Sequence, residues 1–386
     1  MTAHGGSSSG VCFVVGARPN FMKVAPVYRA LRAVAPETEL LLVHTGQHYD
    51  DLMSDVFFRE LGMPEVDLYL GVGAGSHAEQ TAKVLLGVEQ VLLANRPRLV
   101  VVPGDVNSTV AAALAAVKLQ IPVAHLEAGL RSFDEAMPEE HNRRLTDHMS
   151  TLLLAPSADG VENLRLEGIR SERIHLVGNT MIDSLLEHVG GALASEPWLR
   201  WDLEPQSYGL VTLHRPSLVD DGEQLERAVA ALVQLCEFSP LLFPVHPRTR
   251  KMLDGLELTD RLYRAGVRLA EPLGYLDFLG LEAAARFVLT DSGGVQEETT
   301  ALGVACFTLR PTTERPVTVT HGTNTLLGSD PTQILRIADL LEGWRPPAQP
   351  VPLWDGKAAT RVADVVAAFL AQEGRPSIAS ATRGGS

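Results

Sequence analysis

Three carboxylates stand where apolar runs of the sequence end, and together they could move protons on a bound substrate. They are Asp105 in GDVNST, Glu127 in HLEAGLRS and Glu139 in MPEEHNRR. A carboxyl group placed beside a reacting atom serves as a general acid or base. Glu127 follows the run PVAHL and has Arg131 four residues further on, which predicts a buried and oriented carboxylate.

The segment that begins at Pro138 is predicted to be a helix, because proline is favoured at the first helical position. On such a helix Glu139, Arg143 and Asp147 share one ridge at i, i+4 spacing, so Arg143 could hold a neighbouring carboxylate ionised. Two plainer interpretations stay open. Asp105 could cap the helix that follows it, and Glu139 with Arg143 could form an exposed pair contributing only ~0.3–0.5 kcal/mol.

DSGGVQEE, residues 291–298, follows the apolar run Phe287-Val288-Leu289 and leads into a segment of helical composition. Glycines at a strand-to-helix turn let the backbone approach a ligand, and the helix amino end attracts anions. Ser292, Gly293 and Gly294 therefore suit a phosphate, and Glu298 could accept hydrogen bonds from a ribose. The alternative is a plain turn whose glutamates cap the helix.

Cations follow other strand ends. GARPNFMK places Arg18 and Lys23 after the first apolar run, where Arg18 can present a fork to phosphate oxygens and Lys23 a point charge. A solvated face is the alternative for both side chains. His214 and His246 end two later apolar runs and should face the same edge.

These residues need a scaffold, and the apolar runs predict one. Short continuous runs begin at residues 11, 40, 99, 122, 151 and 174, and they alternate with segments of helical periodicity. The segment at residues 194–207 carries two prolines and two tryptophans, and a second series of runs begins at 208, 241, 267, 286 and 304. Such alternation predicts an α/β protein with two doubly wound parallel sheets, whose ligands bind beyond the carboxyl ends of the strands.

Composition narrows the possible functions. The 386 residues are 45% hydrophobic and 21% charged with a net charge of −14, which disfavours nucleic acid as a partner. No G-x-G-x-x-G follows the first strand, and no P-loop or metal-ligand spacing occurs, so neither NAD in its usual mode nor a metal is expected. The three scattered cysteines, the missing signal peptide and the short apolar runs favour a cytoplasmic protein without a membrane span.

Taken in order, the motifs resemble those of the non-hydrolysing UDP-N-acetylglucosamine 2-epimerases over about residues 11–372. They are GARPNFMKVAP, TGQHYD, GDVNST, HLEAGLRSFD, PEEHNR, GNTMID, LHRPS, PVHPR, TDSGGVQEE, TTERPVTV and GTNTLLG. The resemblance implies a glycosyltransferase-B fold, in which two Rossmann-like domains enclose a cleft, usually in a homodimer. It further implies interconversion of UDP-N-acetylglucosamine and UDP-N-acetylmannosamine without a cofactor, usually for surface polysaccharide.

The composition and strand pattern predict the tails, the linker and the two domains, and the resemblance adds the returning helix and the roles of the site residues. The domains would be a flexible tail at 1–10, a sugar-binding domain at 11–193, a linker at 194–207, a UDP-binding domain at 208–356, a helix crossing back to the first domain at 357–374 and a tail at 375–386. The UDP would contact Arg18, His214, Phe278, Ser292, Gly293, Gly294, Glu298 and Arg315, and the sugar would contact Lys23, Asp105, Glu127, Glu139 and Arg143. His214 would also act in catalysis.

Two departures from the family pattern concern sugar contacts and regulation. Asn20 stands where many members read GTRPE, and Ser217 stands where many members read HRxEN. An allosteric site in some bacterial members uses two glutamines, of which Gln47 is present while Asp50 occupies the later position. The alternatives to an epimerase of this kind are a hydrolysing epimerase, a glycosyltransferase of the same fold and a nucleotide-sugar binding protein. The natural sugar could carry a 3-acetamido or uronic acid group.

Overall fold

Two parallel sheets organise the computed structural model, which describes residues 10–46, 62 and 65–373 without the side chains of Arg18 and Glu373. The first sheet has seven strands in the order β3-β2-β1-β4-β5-β6-β7, and the second has six in the order β10-β9-β8-β11-β12-β13. The first strands are β1 Val11–Val15, β2 Leu40–His44, β3 Leu68–Tyr69, β4 Leu99–Pro103, β5 Val123–Leu126, β6 Leu152–Ala155 and β7 Ile174–Leu176. The others are β8 Gly209–Thr212, β9 Leu241–Pro244, β10 Arg268–Ala270, β11 Phe287–Thr290, β12 Ala305–Thr308 and β13 Asn324–Leu326.

Helices cover both faces of each sheet. In the first half they span Arg18–Val34, His77–Asn95, Asn107–Lys118, Pro138–Met149, Ala158–Leu166 and Thr180–Ala194, with a 3-10 turn at Ser171–Arg173. Afterwards they span Pro216–Val219, Gly222–Phe238, Pro247–Gly255, Thr259–Arg264, Tyr275–Ala283, Gly293–Leu302, Val317–Thr320, Ile337–Leu341 and Ala358–Glu373, with 3-10 turns at Pro197–Trp201 and Pro331–Arg336. No helix in these ranges is long and apolar enough to cross a membrane.

Alternate residues of each central strand enter different cores. Phe13 packs into one apolar cluster of the first half, whereas Cys12 and Val14 pack into the cluster on the opposite face of the sheet. In the second sheet Leu289 and Val288 divide between two faces in the same way. Both faces of a parallel sheet must be apolar when helices cover both. The predicted fold class, two doubly wound α/β domains, is confirmed.

The cysteines belong to these cores. Cys12 and Cys306 are fully buried, and burial raises the pKa of each thiol to about 12, while Cys236 is half-buried. A thiol with so high a pKa is protonated and poorly nucleophilic. Cys12 and Cys306 therefore serve as small apolar side chains.

The helix Ala358–Glu373 packs against two helices of the first half, Arg18–Val34 and Thr180–Ala194. Its amino end is capped by Asp183, whose carboxylate accepts hydrogen bonds from the backbone N–H groups of Ala358 at 3.1 Å and Ala359 at 2.7 Å. A carboxylate at this position satisfies N–H groups that have no partner within the helix. The chain thus returns to its first half after completing the second sheet, while the exact domain boundaries given above stay a prediction.

Candidate active site

Glu127 lies between cations from the two halves of the chain. Lys23 of the first long helix donates to its Oε2, and Arg315, which follows β12, donates to its Oε1 at 3.2 Å. The side chains of Lys23, Glu127 and Arg315 are 8%, 7% and 11% exposed. A buried carboxylate with two cationic donors is held in one orientation. Arg131, four residues away, does not contact Glu127 but pairs with Asp147 and Glu167.

The backbone around Glu127 is shaped for this contact. Glu127 has a φ of 69°, in the left-handed region that non-glycine residues occupy only when their surroundings enforce it. Gly104 lies opposite with a φ of 65°, and a Cβ atom there would be 3.2 Å from the Glu127 carboxylate and 3.3 Å from the Lys23 amine. Glycine at 104 therefore leaves room for the ion pair.

Asp105 forms a second ion pair in the same region. Arg143 donates to Asp105 through Nη2 and, through Nη1 at 2.5 Å, to the buried carboxylate of Glu140. Burial raises the pKa of Asp105, but Arg143, Lys23 and Arg315 outweigh that effect and lower it overall. Asp105 does not cap the next helix, whose N-cap is Val106 without a side-chain bond. Asp105 is 30% exposed, so this ionised carboxylate is accessible.

The predicted ridge of Glu139, Arg143 and Asp147 is wrong in its pairings. Arg143 is 3% exposed and binds Glu140 and Asp105, because its side chain points beneath the loops rather than along the outside of the helix. Asp147 is fully buried and pairs elsewhere, while Glu139 is half-buried and close enough to Arg215 to interact with its charge. Glu139 therefore faces the second half of the chain.

The DSGG segment begins the helix Gly293–Leu302, as predicted. Ser292 is its N-cap, no side chain of the described residues caps the N–H groups that follow, and a Cβ on Gly293 would lie 2.6 Å from Arg315 Nη1. Asp291 accepts from the backbone N–H groups of His214 and Arg215, both at 2.8 Å, which ties this turn to the end of β8. The helix end, His214 and Arg315 thus lie at one edge, where N–H groups and cations could receive an anion.

A cluster of guanidinium groups stands beside that edge. Glu314 is buried and accepts two bonds from Arg310, at 2.9 and 2.7 Å, while Arg315 lies at 3.5 Å and Arg215 at 3.7 Å. Burial raises the pKa of Glu314, but Arg310, Arg315 and Arg215 outweigh it and hold this carboxyl well below its usual range. The Glu314 carboxylate therefore holds three guanidinium groups together beside this edge.

Glu297 and Glu298 are both buried in the helix after the DSGG turn, so neither is a surface cap. Glu297 accepts from Asn179 of the first half at 2.9 Å, and its other oxygen lies 2.7 Å from Arg315 Nε, out of line for a hydrogen bond. Burial, with help from the charge of Glu127 and against that of Arg315, raises the pKa of Glu297 to about 7. Glu298 is 7% exposed, and its charge acts on the fully buried Glu282.

The remaining predicted residues are placed as follows. Phe278 is half-buried on the helix Tyr275–Ala283, and the ring of His246 lies 5.6 Å from that of His214. Arg18 begins its helix, but its side chain lies outside the described part of the structure, as do Gln47 and Asp50.

The two positions that depart from the family pattern are structural or exposed. Asn20 is buried, and its Oδ1 accepts from the N–H groups of Gly16 at 3.0 Å and Ala17 at 3.1 Å. Asn20 therefore closes the turn after β1, and Ser217 is an exposed residue of a short helix.

Sequence reasoning missed several residues of this edge. They are Glu140, Arg215, Glu297, Arg310 and Glu314. Four of these stand next to a predicted residue, Glu140 in PEE, Arg215 in LHRPS, Glu297 in QEE and Glu314 in TTERP, so a second charged residue beside a predicted one was the available signal. The arrangement can hold an anion on the second half while carboxylates of the first half exchange protons with a group beside it.

Comparisons with known proteins show what this chain is similar to. A family model described as UDP-N-acetylglucosamine 2-epimerase matches residues 30–367. A UDP-N-acetylglucosamine 2-epimerase of Methanocaldococcus jannaschii is 41% identical over 363 residues, which cover 92% of this chain and 97% of that protein. UDP-2,3-diacetamido-2,3-dideoxy-D-glucuronate 2-epimerase of Pseudomonas aeruginosa is 39% identical over 357 residues, which cover 92% and 98%.

The fold of a solved relative is also similar. The crystal structure of the Methanocaldococcus jannaschii UDP-GlcNAc 2-epimerase in complex with UDP-GlcNAc and UDP superimposes with a TM-score of 0.86 at 41% sequence identity. The match covers 93% of this chain and 99% of that one.

Proposed function

Because this chain belongs to the UDP-N-acetylglucosamine 2-epimerase family, we propose that it interconverts UDP-N-acetylglucosamine and UDP-N-acetylmannosamine by elimination and re-addition of UDP. It is an isomerase. The observation that carries the mechanism is the placement of Glu127, a buried carboxylate held between Lys23 of the first half and Arg315 of the second. A proton-transferring group is thereby fixed beside a cationic edge.

The proposed reaction requires both the proton-transferring carboxylate and the cationic edge. The C2 proton of an N-acetylhexosamine is not acidic, because no carbonyl lies next to that carbon, so a base alone fails. When the C1–O bond breaks and its electrons leave with UDP, C1 gains oxocarbenium character and the C2–H becomes acidic. A carboxylate takes that proton, which leaves 2-acetamidoglucal with a C1–C2 double bond. Proton delivery to the opposite face of C2 and attack of UDP oxygen at C1 give the epimer.

The second half of the chain supports departure of UDP. We assign the diphosphate to the helix end at Ser292, Gly293 and Gly294, together with Arg18, His214 and Arg315. Donors and cations that are fixed before the reaction stabilise the charge that develops on the leaving group. Glu298 is assigned to the ribose and Phe278 to the neighbourhood of the uracil, both on helices that begin at this edge.

The first half supplies groups for the two faces of the sugar. Asp105 and Glu127 belong to different loops, after β4 and β5, and each has its own cationic partner, Arg143 or Lys23. Two proton-transferring groups are needed, since removal and return occur on opposite faces. Glu139 lies toward the second half and is assigned to the same pocket. Positioned groups of this kind contribute ~10²–10⁴-fold each.

Solvent exchange at C2 tests the mechanism. With UDP-N-acetylglucosamine in D₂O we expect proton NMR to show deuterium at C2 of the UDP-N-acetylmannosamine, followed by label in the remaining substrate as the reaction reverses. Free UDP and 2-acetamidoglucal should stay minor, because a closed cleft holds both fragments for recombination.

Each contrary result of that experiment has a distinct meaning. Epimer without deuterium would indicate an internal hydride return, and equal amounts of UDP and free N-acetylmannosamine would indicate a hydrolysing epimerase. An unchanged substrate would favour a transferase or a binding protein. Turnover only of a 3-acetamido or uronic acid derivative would place the chain with relatives such as the Pseudomonas aeruginosa enzyme.

We further propose a homodimer through the outer helices of the first half. Leu86 and Leu93 share one face of the helix His77–Asn95, and Val117 and Leu145 lie on the next two helices, which pack beside it in series. Their exposure ranges from 38% to 62%. Exposed apolar residues on adjacent helices are typical of an interface between subunits.

Charge placed on this surface should separate the subunits. We expect Leu86→Asp combined with Leu145→Asp to elute as a monomer at half the wild-type mass in size-exclusion chromatography with light scattering. Leu166→Asp is the control, because Leu166 is 79% exposed on a different helix and should leave the mass unchanged. A wild-type monomer, or an unchanged mass in the double variant, would contradict this interface.

A further inference from the structure

His125 lies beneath the two loops that carry Asp105 and Glu127. It belongs to β5, is fully buried, and has Val102 of β4 and Leu153 of β6 as its neighbours in the sheet. Its Nδ1 is 2.7 Å from Asp147 Oδ1, and its Nε2 is 2.7 Å from the carbonyl oxygen of Gly104. Both ring nitrogens therefore have a close polar partner.

Both of those partners can only accept a hydrogen bond. A backbone carbonyl has no proton, and Asp147 is an ionised carboxylate whose Oδ2 accepts from Gly129 N at 3.1 Å and lies 2.7 Å from Arg131 Nη1. Burial raises the pKa of Asp147, but His125 and Arg131 outweigh it and lower the pKa overall. His125 therefore lies between two acceptors that belong to different parts of the chain.

We propose that His125 positions the catalytic loops of Asp105 and Glu127. One end of its ring holds the carbonyl of Gly104, which is joined by the peptide bond to Asp105. The other end holds Asp147, which fixes the N–H of Gly129, two residues after Glu127. A displacement of either loop would misplace a proton-transferring group, and small displacements of such groups cost large factors in rate.

The positioning role rests on the proposed roles of Asp105 and Glu127, and kinetics test it. We expect His125→Gln to lower kcat at least tenfold while the Kd for UDP stays unchanged, since the UDP edge lies on the other half of the chain. His141→Gln is the control, because this exposed histidine bonds only the carbonyl of Glu135 among the described residues. Unchanged kcat in folded His125→Gln, or equal losses of kcat and UDP affinity, would overturn the positioning role.

A second variant covers the case in which His125→Gln does not fold. Asp147→Asn keeps the shape of the side chain but removes its charge, and its amide can turn an N–H toward His125. We expect kcat to fall in this variant at an unchanged UDP affinity. Retention of full kcat would contradict the proposal. Full turnover of Asp105→Asn and Glu127→Gln, together with a lowered kcat in His125→Gln, would instead refute the proposed carboxylate chemistry.

Discussion

Replacing Glu127 with glutamine is expected to lower kcat by about 10²–10⁴-fold, the usual contribution of a positioned acid or base. The glutamine side chain has the same shape and can still accept a bond from Lys23 or Arg315, but it cannot take a proton. We therefore expect the Kd for UDP to stay within about threefold of wild type, a change below 1 kcal/mol. Initial rates by NMR and calorimetric titration with UDP measure the two quantities.

A matched control separates this effect from a general change of charge. Glu135 is exposed on the loop between β5 and the next helix, so Glu135→Gln removes the same charge without touching the candidate site. It should leave kcat and Kd unchanged. A large loss of UDP affinity in Glu127→Gln would make Glu127 a binding residue, and an unchanged kcat would remove it from the proton transfer.

Arg143→Met is expected to destabilise the folded protein by about 3–5 kcal/mol, the range for breaking a buried ion pair. Methionine fills similar space but leaves the carboxylates of Glu140 and Asp105 without their cation. Burial raises the pKa of both groups, but Arg143 with Lys23 and Arg315 lowers that of Asp105, and the backbone N–H of Ser132 with Arg143 lowers that of Glu140. The contribution of Arg143 is therefore present above their unfolded pKa values of about 4 and is lost as the pH falls. Urea unfolding at neutral and acidic pH should show a difference that shrinks with acid.

Arg144→Met is the control for this experiment. Arg144 is the next residue on the same helix, is 47% exposed, and lies 3.8 Å from Glu167. An exposed pair at that distance contributes about 0–1 kcal/mol, so this variant should unfold close to wild type at every pH. A loss in Arg143→Met that is equally small, or that does not depend on pH, would show that the two carboxylates do not need the cation.

Most of the scaffold was predictable because its signals are local. A short continuous run such as VCFVV is typical of a strand covered on both faces, and the sites follow from the rule that ligands bind at the carboxyl ends of parallel strands. Two strands were missed because they lack this local signal. β3 contains two exposed residues, and β13 begins with a buried asparagine that bonds Thr308 and Gln296, so neither has the apolar run that marks a strand.

Partners of charged side chains were less predictable, because they depend on the rotation of a helix and on distant loops. Spacing alone pairs Arg143 with Glu139, yet the helix Pro138–Met149 turns Arg143 toward Glu140 and toward Asp105, which is 38 residues away. Likewise Arg131 is four residues from Glu127 but binds Glu167, 36 residues away. The sequence identifies the loops that carry the site, whereas the choice among neighbouring charges needs coordinates.

The return of the helix Ala358–Glu373 to the first half affects the order in which the protein can fold during synthesis. Val362, Val366 and Leu370 of this helix are buried in the same core as Phe13 and Leu31, which the ribosome makes more than three hundred residues earlier. Domains generally fold as they emerge, amino-terminal first. Here the apolar face of the first helices stays open until the whole second sheet has been translated, so the nascent chain must keep that face from aggregating throughout elongation.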